Sequence, residues 1–204
     1  MKVLEININN IEVYAKLMEE SFIDDSGIKM QLKGIKNGAS LLNIQCRCQI
    51  EAFSKINGVT TFGNGEGMVL GYFTKDEERL AKYLQDASSY ILENVSTDDL
   101  IAMQQNAIEV TKIVQPDWYK KFLNEKEVYI LQVIVVQKSL RGTGVFRKLI
   151  SPILKMAEQQ SIPVVLQTYE YANIIKYEQF GFKLMEQVTS DKIDLVCYNM
   201  LKNN

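Results

Sequence analysis

Two periodicities divide the chain. Through much of the first half, apolar residues return every three or four positions, the spacing of one helical face. Ile11, Tyr14, Leu17, Met18 and Phe22 form such a stripe, and Asn9 or Asn10 can cap the helix that carries it. Leu80, Leu84, Ala87 and Ile91 form a second stripe behind Thr74 and Glu77, which have the spacing of a capping box. Ser96 and Asp99 repeat that arrangement before Leu100, Met103, Ala107 and Val110. Residues 41 to 56 fit both periods. Leu42, Ile44, Cys46, Cys48, Ile50 and Ala52 alternate as in a strand, whereas Leu41, Ile44, Cys48 and Ala52 share one helical face. Ser40 as a cap, with the Gln, Arg, Glu and Ala content, favours the helix.

Shorter runs read as strands. Residues 59–62 and 68–73 are β-rich and flank Gly63-Asn-Gly-Glu-Gly67, a loop of residues that tolerate positive φ, so a hairpin is predicted. Pro116 closes the helical segment, and Trp118, Tyr119, Phe122 and Leu123 predict a short helix on the core. Beyond residue 126 the pattern changes. Residues 128–136 form a near-continuous apolar run rich in β-branched residues, the mark of a strand buried on both faces. A glycine-bearing loop follows, then a helix from about Gly144 to Gln160 with Pro152 inside it, where proline should kink the helix. Residues 163–168 form a second buried strand. A helix from about Asn173 to Phe180 ends at Gly181, and residues 182–187 and 194–201 read as a closing strand pair. Strand, loop, helix, strand is a βαβ crossover, which implies parallel strands with a ligand site at their carboxyl ends.

Composition narrows the chemistry. The 204 residues fit one domain, with no low-complexity linker and no internal repeat. Hydrophobic residues make up 47% and charged residues 24%, with a formal net charge of -2, so no global field draws the chain to nucleic acid or to an anionic membrane. Histidine is absent, which removes the commonest general base and metal ligand. Cys46, Cys48 and Cys197 cannot complete a four-ligand zinc site and read as small buried hydrophobes. The opening residues have no apolar leader core, and no apolar run reaches membrane-spanning length; a cytoplasmic location is expected.

The chemistry-bearing segment runs from Val136 to Leu149, leaving a buried strand and opening a helix. Gly142 and Gly144 let the backbone approach a ligand. The N–H groups of Thr143 to Phe146 and the positive end of the helix dipole then make an anion site suited to a pyrophosphate. Lys138, Arg141, Arg147 and Lys148 gather four positive charges around it. The loop lacks the Gly-Lys-Ser/Thr of a P-loop. A dinucleotide fingerprint would need a glycine where Arg147 stands and an acidic residue where the next strand ends in Gln167 and Thr168. Taken alone, Gly-x-Gly serves equally as a plain helix-capping turn.

Two motifs at the correct separation go further. Arg141-Gly-Thr-Gly144-Val-Phe146 after a buried strand resembles the acetyl-CoA pyrophosphate loop of the GNAT superfamily of N-acyltransferases. Some thirty residues on, Asn173-Ile-Ile-Lys-Tyr177-Glu-Gln-Phe-Gly181-Phe182 fills every position of that superfamily's Asn-x-x-x-Tyr-x-x-x-Gly-Phe pattern. The resemblance implies an α/β fold with a mixed, twisted sheet, helices on both faces and an acyl-CoA cleft between two splayed strands. It implies one domain over residues 1–204. Residues 126–204 would form the acyl-CoA core, and residues 1–125 a divergent half with a helical insertion on the acceptor side. Phe146 departs from the pattern, standing where a small residue is usual, and its ring is expected to turn into the core.

The resemblance also implies roles. Val133, Ile134 and Val135 would pair their backbone with the pantetheine arm of acetyl-CoA while their side chains pack in the core. Arg141, Gly142, Thr143, Gly144, Val145 and Phe146 would bind the pyrophosphate. Asn173 would hydrogen-bond pantetheine or a nearby carbonyl, or simply cap its helix. Tyr177 would protonate the leaving thiolate. The expected reaction is direct acetyl transfer from acetyl-CoA to a primary amine, carried by a small molecule or a peptide, in a ternary complex without a covalent enzyme intermediate. The position where some relatives carry a glutamate is apolar here, at Ile130 and Leu131, or holds Gln132. A water-relayed carbonyl, Glu170 or Glu66 remain as base candidates. Tyr72, Phe73, Trp118, Tyr129 and Tyr171 are aromatic candidates for the acceptor side. Without a base the chain would be a non-catalytic acyl-CoA sensor, the rival reading.

Overall fold

The computed structural model describes residues 8–124 and 127–203, with the side chains of residues 8 and 9 left aside. The stretch read as lacking a leader core begins in residues 1–7, outside the described residues, and the boundary placed at residue 125 also falls outside them. No helix among the described residues is long and apolar enough to cross a membrane.

Six strands make one sheet: β1 (Val59–Phe62), β2 (Gly67–Phe73), β3 (Tyr129–Val136), β4 (Val164–Thr168), β5 (Lys183–Ser190) and β6 (Ile193–Lys202). Their spatial order is β1-β2-β3-β4-β6-β5. Every neighbouring pair is antiparallel except β3 and β4, which are parallel, so the sheet is mixed as expected. Helix α1 (Ile8–Phe22) and helix α3 (Gly38–Ser54) cover one face of β2 and β3, where Ile50, Phe53, Met68 and Leu70 are all but inaccessible to solvent. Helices α6 (Val145–Gln159) and α7 (Tyr171–Glu178) cover the other face. Helix α2 (Ser26–Gln31) packs against α5 (Thr97–Val110), and α4 (Glu77–Asn94) packs against α3.

The doubtful stretch at 41–56 is helix as far as Ser54, and its double periodicity has a physical cause. Leu42, Cys46, Ile50 and Phe53 face α1 and the sheet, while the Cys48 thiol turns toward the Ala87 carbonyl of α4 at 3.6 Å. A helix buried on two sides carries apolar residues at strand-like intervals. The expected caps fared unevenly. Asn9 and Asn10 both lie within α1, and α3 begins at Gly38 behind Asn37, which leaves Ser40 inside the helix. Thr74 opens a 3-10 turn rather than capping α4, and its Oγ1 accepts a bond from the Val128 N–H at 3.1 Å. Ser96 does cap α5, accepting from the Asp99 N–H at 3.2 Å, but Asp99 turns away to accept from the Lys36 N–H at 3.0 Å. The short helix expected around Trp118 is a 3-10 turn over Trp118–Lys121, with the indole buried against β4 and β6. Helix α6 continues through Pro152, which is exposed.

Strand β3 carries a bulge. Residues 129–131 pair with β2 in one register and residues 133–136 in another, so Gln132 has no partner across the ladder. The extra residue exchanges the faces. Tyr129 and Leu131 point toward α6, whereas Val133 and Val135 point toward α1 and α3. The near-continuous apolar run of this strand, broken only at Gln132, follows from that exchange as well as from burial on both sides. On the other side of the sheet, Gln167 of β4, Asn199 of β6 and Glu186 of β5 stand in register across three strands. Gln167 Nε2 donates to Asn199 Oδ1 and Asn199 Nδ2 to Glu186 Oε1, both at 2.8 Å, and Lys121 pairs with Glu186 at 3.2 Å. Asn199 is fully buried.

Ile150 lies at the centre of the α6 face and is inaccessible to solvent. Ile150→Ala should destabilise the chain by about 2–5 kcal/mol in chemical denaturation, the cost of a buried large-to-small change.

Candidate functional site

The site begins where β3 and β4 stop pairing. Only Tyr129 with Val164 and Ile130 with Val165 are in register; beyond Ile130 the strands part. The rest of β3 turns its outer edge, and the last residues of β4 theirs, toward the gap. Unpaired backbone groups at such edges need another partner. A cleft of about 580 Å³ lies on one side of the gap, among Ile134, Val135, Arg141, Gly144, Phe146 and Asn173. A second cavity of about 430 Å³ lies toward α1, α3 and α4, among Leu42, Cys46, Leu84, Gln132, Gln167 and Tyr177. Phe22, Asp25, Ile134, Asn173 and Tyr177 line both, so the two spaces meet at these residues.

Each predicted residue can be placed. Val133 lines the second cavity, Val135 the cleft, and Ile134 both. In the loop, Gly142 and Gly144 hold φ of 83° and 89°, a region other residues enter at a cost, and a Cβ at either would meet no protein atom within 4 Å. Their glycine requirement is therefore conformational, and the space beside them is open. Gly144 caps α6, whose first-turn N–H groups precede any helical acceptor. The N–H of Thr143, expected to be free, is engaged: the Leu140 carbonyl takes it up within the turn at 3.3 Å, and the Thr143 hydroxyl donates to the same carbonyl at 2.7 Å. Val145 is buried under the loop, and the half-buried Phe146 ring turns against Tyr177 and Phe180, with centroids 5.8 and 5.5 Å away.

The basic cluster is rearranged. Arg141 and Arg147 line the cleft, but Lys148 reaches over the Phe62 ring at 5.1 Å, and Lys138 is not among the lining residues. Lys176, one turn into α7, takes a place in the cleft instead. Burial and then the nearby Arg141 charge push its ammonium below the usual lysine range. Cations held close in a partly desolvated cleft are relieved by a bound anion.

Asn173 Nδ2 donates to Thr168 Oγ1 at 3.0 Å and its Oδ1 accepts from Lys176 Nζ at 2.9 Å, while Glu170 occupies the cap position of α7. Asn173 thus ties α7 to the end of β4 and is no helix cap. Tyr177 is buried, and desolvation pushes its phenol well above the ordinary tyrosine range, so it keeps its proton at neutral pH.

Among carboxylates, Glu66 sits in the β1–β2 turn, away from both spaces. Glu170 lines the cleft but accepts from Ser26 Oγ at 2.6 Å and Ser26 N–H at 3.1 Å, and these bonds hold its carboxyl below the usual range. Asp25 went unnoticed in the sequence. It caps α2, with Oδ1 accepting from the Gly27 and Ile28 N–H groups at 2.9 and 3.1 Å, yet burial outweighs those bonds and raises its carboxyl. None of the five aromatic candidates lines the second cavity: Trp118 and Tyr129 are buried elsewhere, and Tyr171 is 62% exposed.

Geometry of this kind defines a class. No family model and no curated protein matches the sequence. Solved structures do match in fold. The C-terminal condensation domain of Ebony in complex with beta-alanyl-dopamine superposes with a TM-score of 0.67 at 9% identity, covering 98% of this chain and 96% of that one. A histone acetyltransferase HPA2 and related acetyltransferase from Corynebacterium glutamicum gives 0.63 at 17%, covering 98% and 94%. Arylalkylamine N-acetyltransferase 2 from Aedes aegypti gives 0.59 at 14%, covering 97% and 96%. The chain has the GNAT fold, as the paired motifs implied.

Cys46 and Cys48 line the second cavity, Cys197 lies elsewhere in the core, and all three are poor nucleophiles. Burial, with Glu19 nearby, pushes the Cys46 thiol up to about 12; burial raises Cys48, and Cys197 reaches about 12. At pH 7.5 an aromatic disulfide reagent should titrate all three thiols rapidly only after denaturation; fast reaction in the native protein would overturn this assignment.

Proposed function

We propose that the chain transfers an acetyl group from acetyl-CoA to a primary amine by direct attack in a ternary complex. The observation that carries this reading is the meeting of two cavities at Tyr177 and Ile134, in the gap between β3 and β4. A binding module needs only the first cavity; a transferase needs a second that reaches the same atoms from another side. That favours transfer over the sensor reading.

The residues fit the donor. The open space beside Gly142 and Gly144, the first-turn N–H groups of α6 and the charges of Arg141, Arg147 and Lys176 suit a pyrophosphate. The backbone edge of Val133, Ile134 and Val135 suits the amides of a pantetheine arm. When bound, acetyl-CoA supplies the activated acyl group. This chain's residues then orient and move protons. The bulge at Gln132 frees backbone groups from the β2 ladder just where the strands part, so that they can hold a developing oxyanion. The incoming amine must lose a proton. Asp25, destabilised as a carboxylate by burial, accepts it more readily than Glu170, whose charge is held by Ser26. As the new C–N bond forms and the C–S bond breaks, the Tyr177 hydroxyl gives its proton to the departing sulfur.

Calorimetric titration should give binding of acetyl-CoA and CoA and none of ATP or NAD; binding of the nucleotides alone, or of nothing, overturns the reading. Gly144→Val, forced into the left-handed region, should weaken CoA binding by about tenfold or more. Tyr177→Phe should lower kcat roughly 10²-fold or more while leaving CoA affinity near that of the parent chain. Equal turnover would remove Tyr177 from the acid role.

A further inference from the structure

The second cavity has an unusual balance of charge. Asp25 is the one ionised side chain among its lining residues, and neither lysine nor arginine contributes. Its other polar side chains carry no formal charge: the amides of Gln31, Gln45, Gln49, Gln132, Gln167 and Asn173, the hydroxyls of Thr168, Tyr169 and Tyr177, and the thiols of Cys46 and Cys48. Three of these amides are already engaged, Gln167 with Asn199 at 2.8 Å, Gln45 with the Met103 sulfur at 3.5 Å, and Asn173 with Thr168 and Lys176. The carboxylate stands at the junction with the donor cleft. The far wall is apolar and belongs to α4. There Leu80 is buried in the core, while Leu84 and Ile91, one and three turns on along the same stripe, face the cavity, and Leu84 keeps 37% of its surface exposed.

Among the lining residues, a ligand entering this space meets one carboxylate beside the reacting centre and no charged side chain beyond it. A second ammonium at the far end would lie against leucine and isoleucine without a counter-charge. A carboxylate there would lack a cation and would carry its charge into an apolar wall. Placing either charge there costs several kcal/mol unless it stays in water.

The geometry points to an acceptor that is a primary monoamine with an uncharged, largely apolar body, its ammonium at Asp25 and its body along Leu84 and Ile91. The assignment rests on the N-acetyltransferase reading and names its substrate class. Polyamines and amines bearing a distal acid are disfavoured by the same inventory. A volume of about 430 Å³ is within the range of small-molecule sites.

Three probes of one length isolate the variable: n-hexylamine, 1,6-hexanediamine and 6-aminohexanoate differ only in a terminal methyl, ammonium or carboxylate. Each is titrated calorimetrically into protein saturated with CoA, and each is assayed for acetyl transfer. Hexylamine should bind at least about tenfold tighter than either of the others. A diamine or an amino acid bound equally well overturns the assignment, as does the binding of none of the three to protein that has taken up CoA. Failure to take up CoA is a different result and sinks the transferase reading itself. Asp25→Asn keeps the capping oxygen of α2 and removes the charge, so hexylamine binding should fall about tenfold while CoA binding stays. Leu84→Glu, at a half-exposed position the fold tolerates, should shift preference toward 1,6-hexanediamine. An unchanged ratio would mean that the body does not lie along α4.

Discussion

The parting of β3 from β4 is the constraint on which the rest of the structure depends. Two parallel rungs, at Tyr129 and Ile130, join the halves of the sheet, and then the ladder stops. A gap in the middle of a sheet exposes backbone donors and acceptors that water or a ligand must satisfy. The bulge at Gln132 makes the gap compatible with a packed core. By exchanging the faces of β3, it sends Val133 and Val135 toward α1 and α3 and leaves Ile134 and Val136 against the α6 side. Both layers therefore stay filled while the strand leaves its neighbour.

Around that gap the two halves of the chain divide the electrostatics. The carboxyl-terminal half brings cations and helix N–H groups to the cleft through Arg141, Arg147, Lys176 and the start of α6. The amino-terminal half brings amides, apolar side chains and one carboxylate to the second cavity. Tyr177 stands between them with its proton retained by burial.

Much of this was legible in the sequence, for reasons that are local. A glycine that must take positive φ, a β-branched run and a helix start leave marks within a dozen residues, and so the loop at 141–146 and the strands flanking α6 could be read directly. The GNAT fold was legible because two such marks stand at a fixed separation. What could not be read depended on tertiary position. Lys176 and Lys148 are equivalent as letters, and only the packing of α6 and α7 sends one into the cleft and the other over Phe62. Asp25 carried no mark in the sequence, because its place at the junction comes from elements more than a hundred residues away. The aromatic candidates lie away from the second cavity for the converse reason: large rings are needed in any core, and Trp118 and Tyr129 serve there. Thr74 had the spacing of a capping box, but the backbone of Val128 competed for its hydroxyl and won.

The row formed by Gln167, Asn199 and Glu186 works as a registration key. Sliding a strand by one residue turns every side chain to the opposite face, and hydrophobicity alone forbids it. Sliding by two restores the faces, and an apolar pattern has little to say against it. A slip of β6 by two would set the buried Asn199 amide in the place of Leu201, opposite Val165 on one side and Lys183 on the other, with its hydrogen bonds unmade. The error that the apolar residues would permit is the one the polar row excludes. Because β4 ends at Thr168, where Asn173 is tied, fixing this register also fixes how far the second lip of the gap extends.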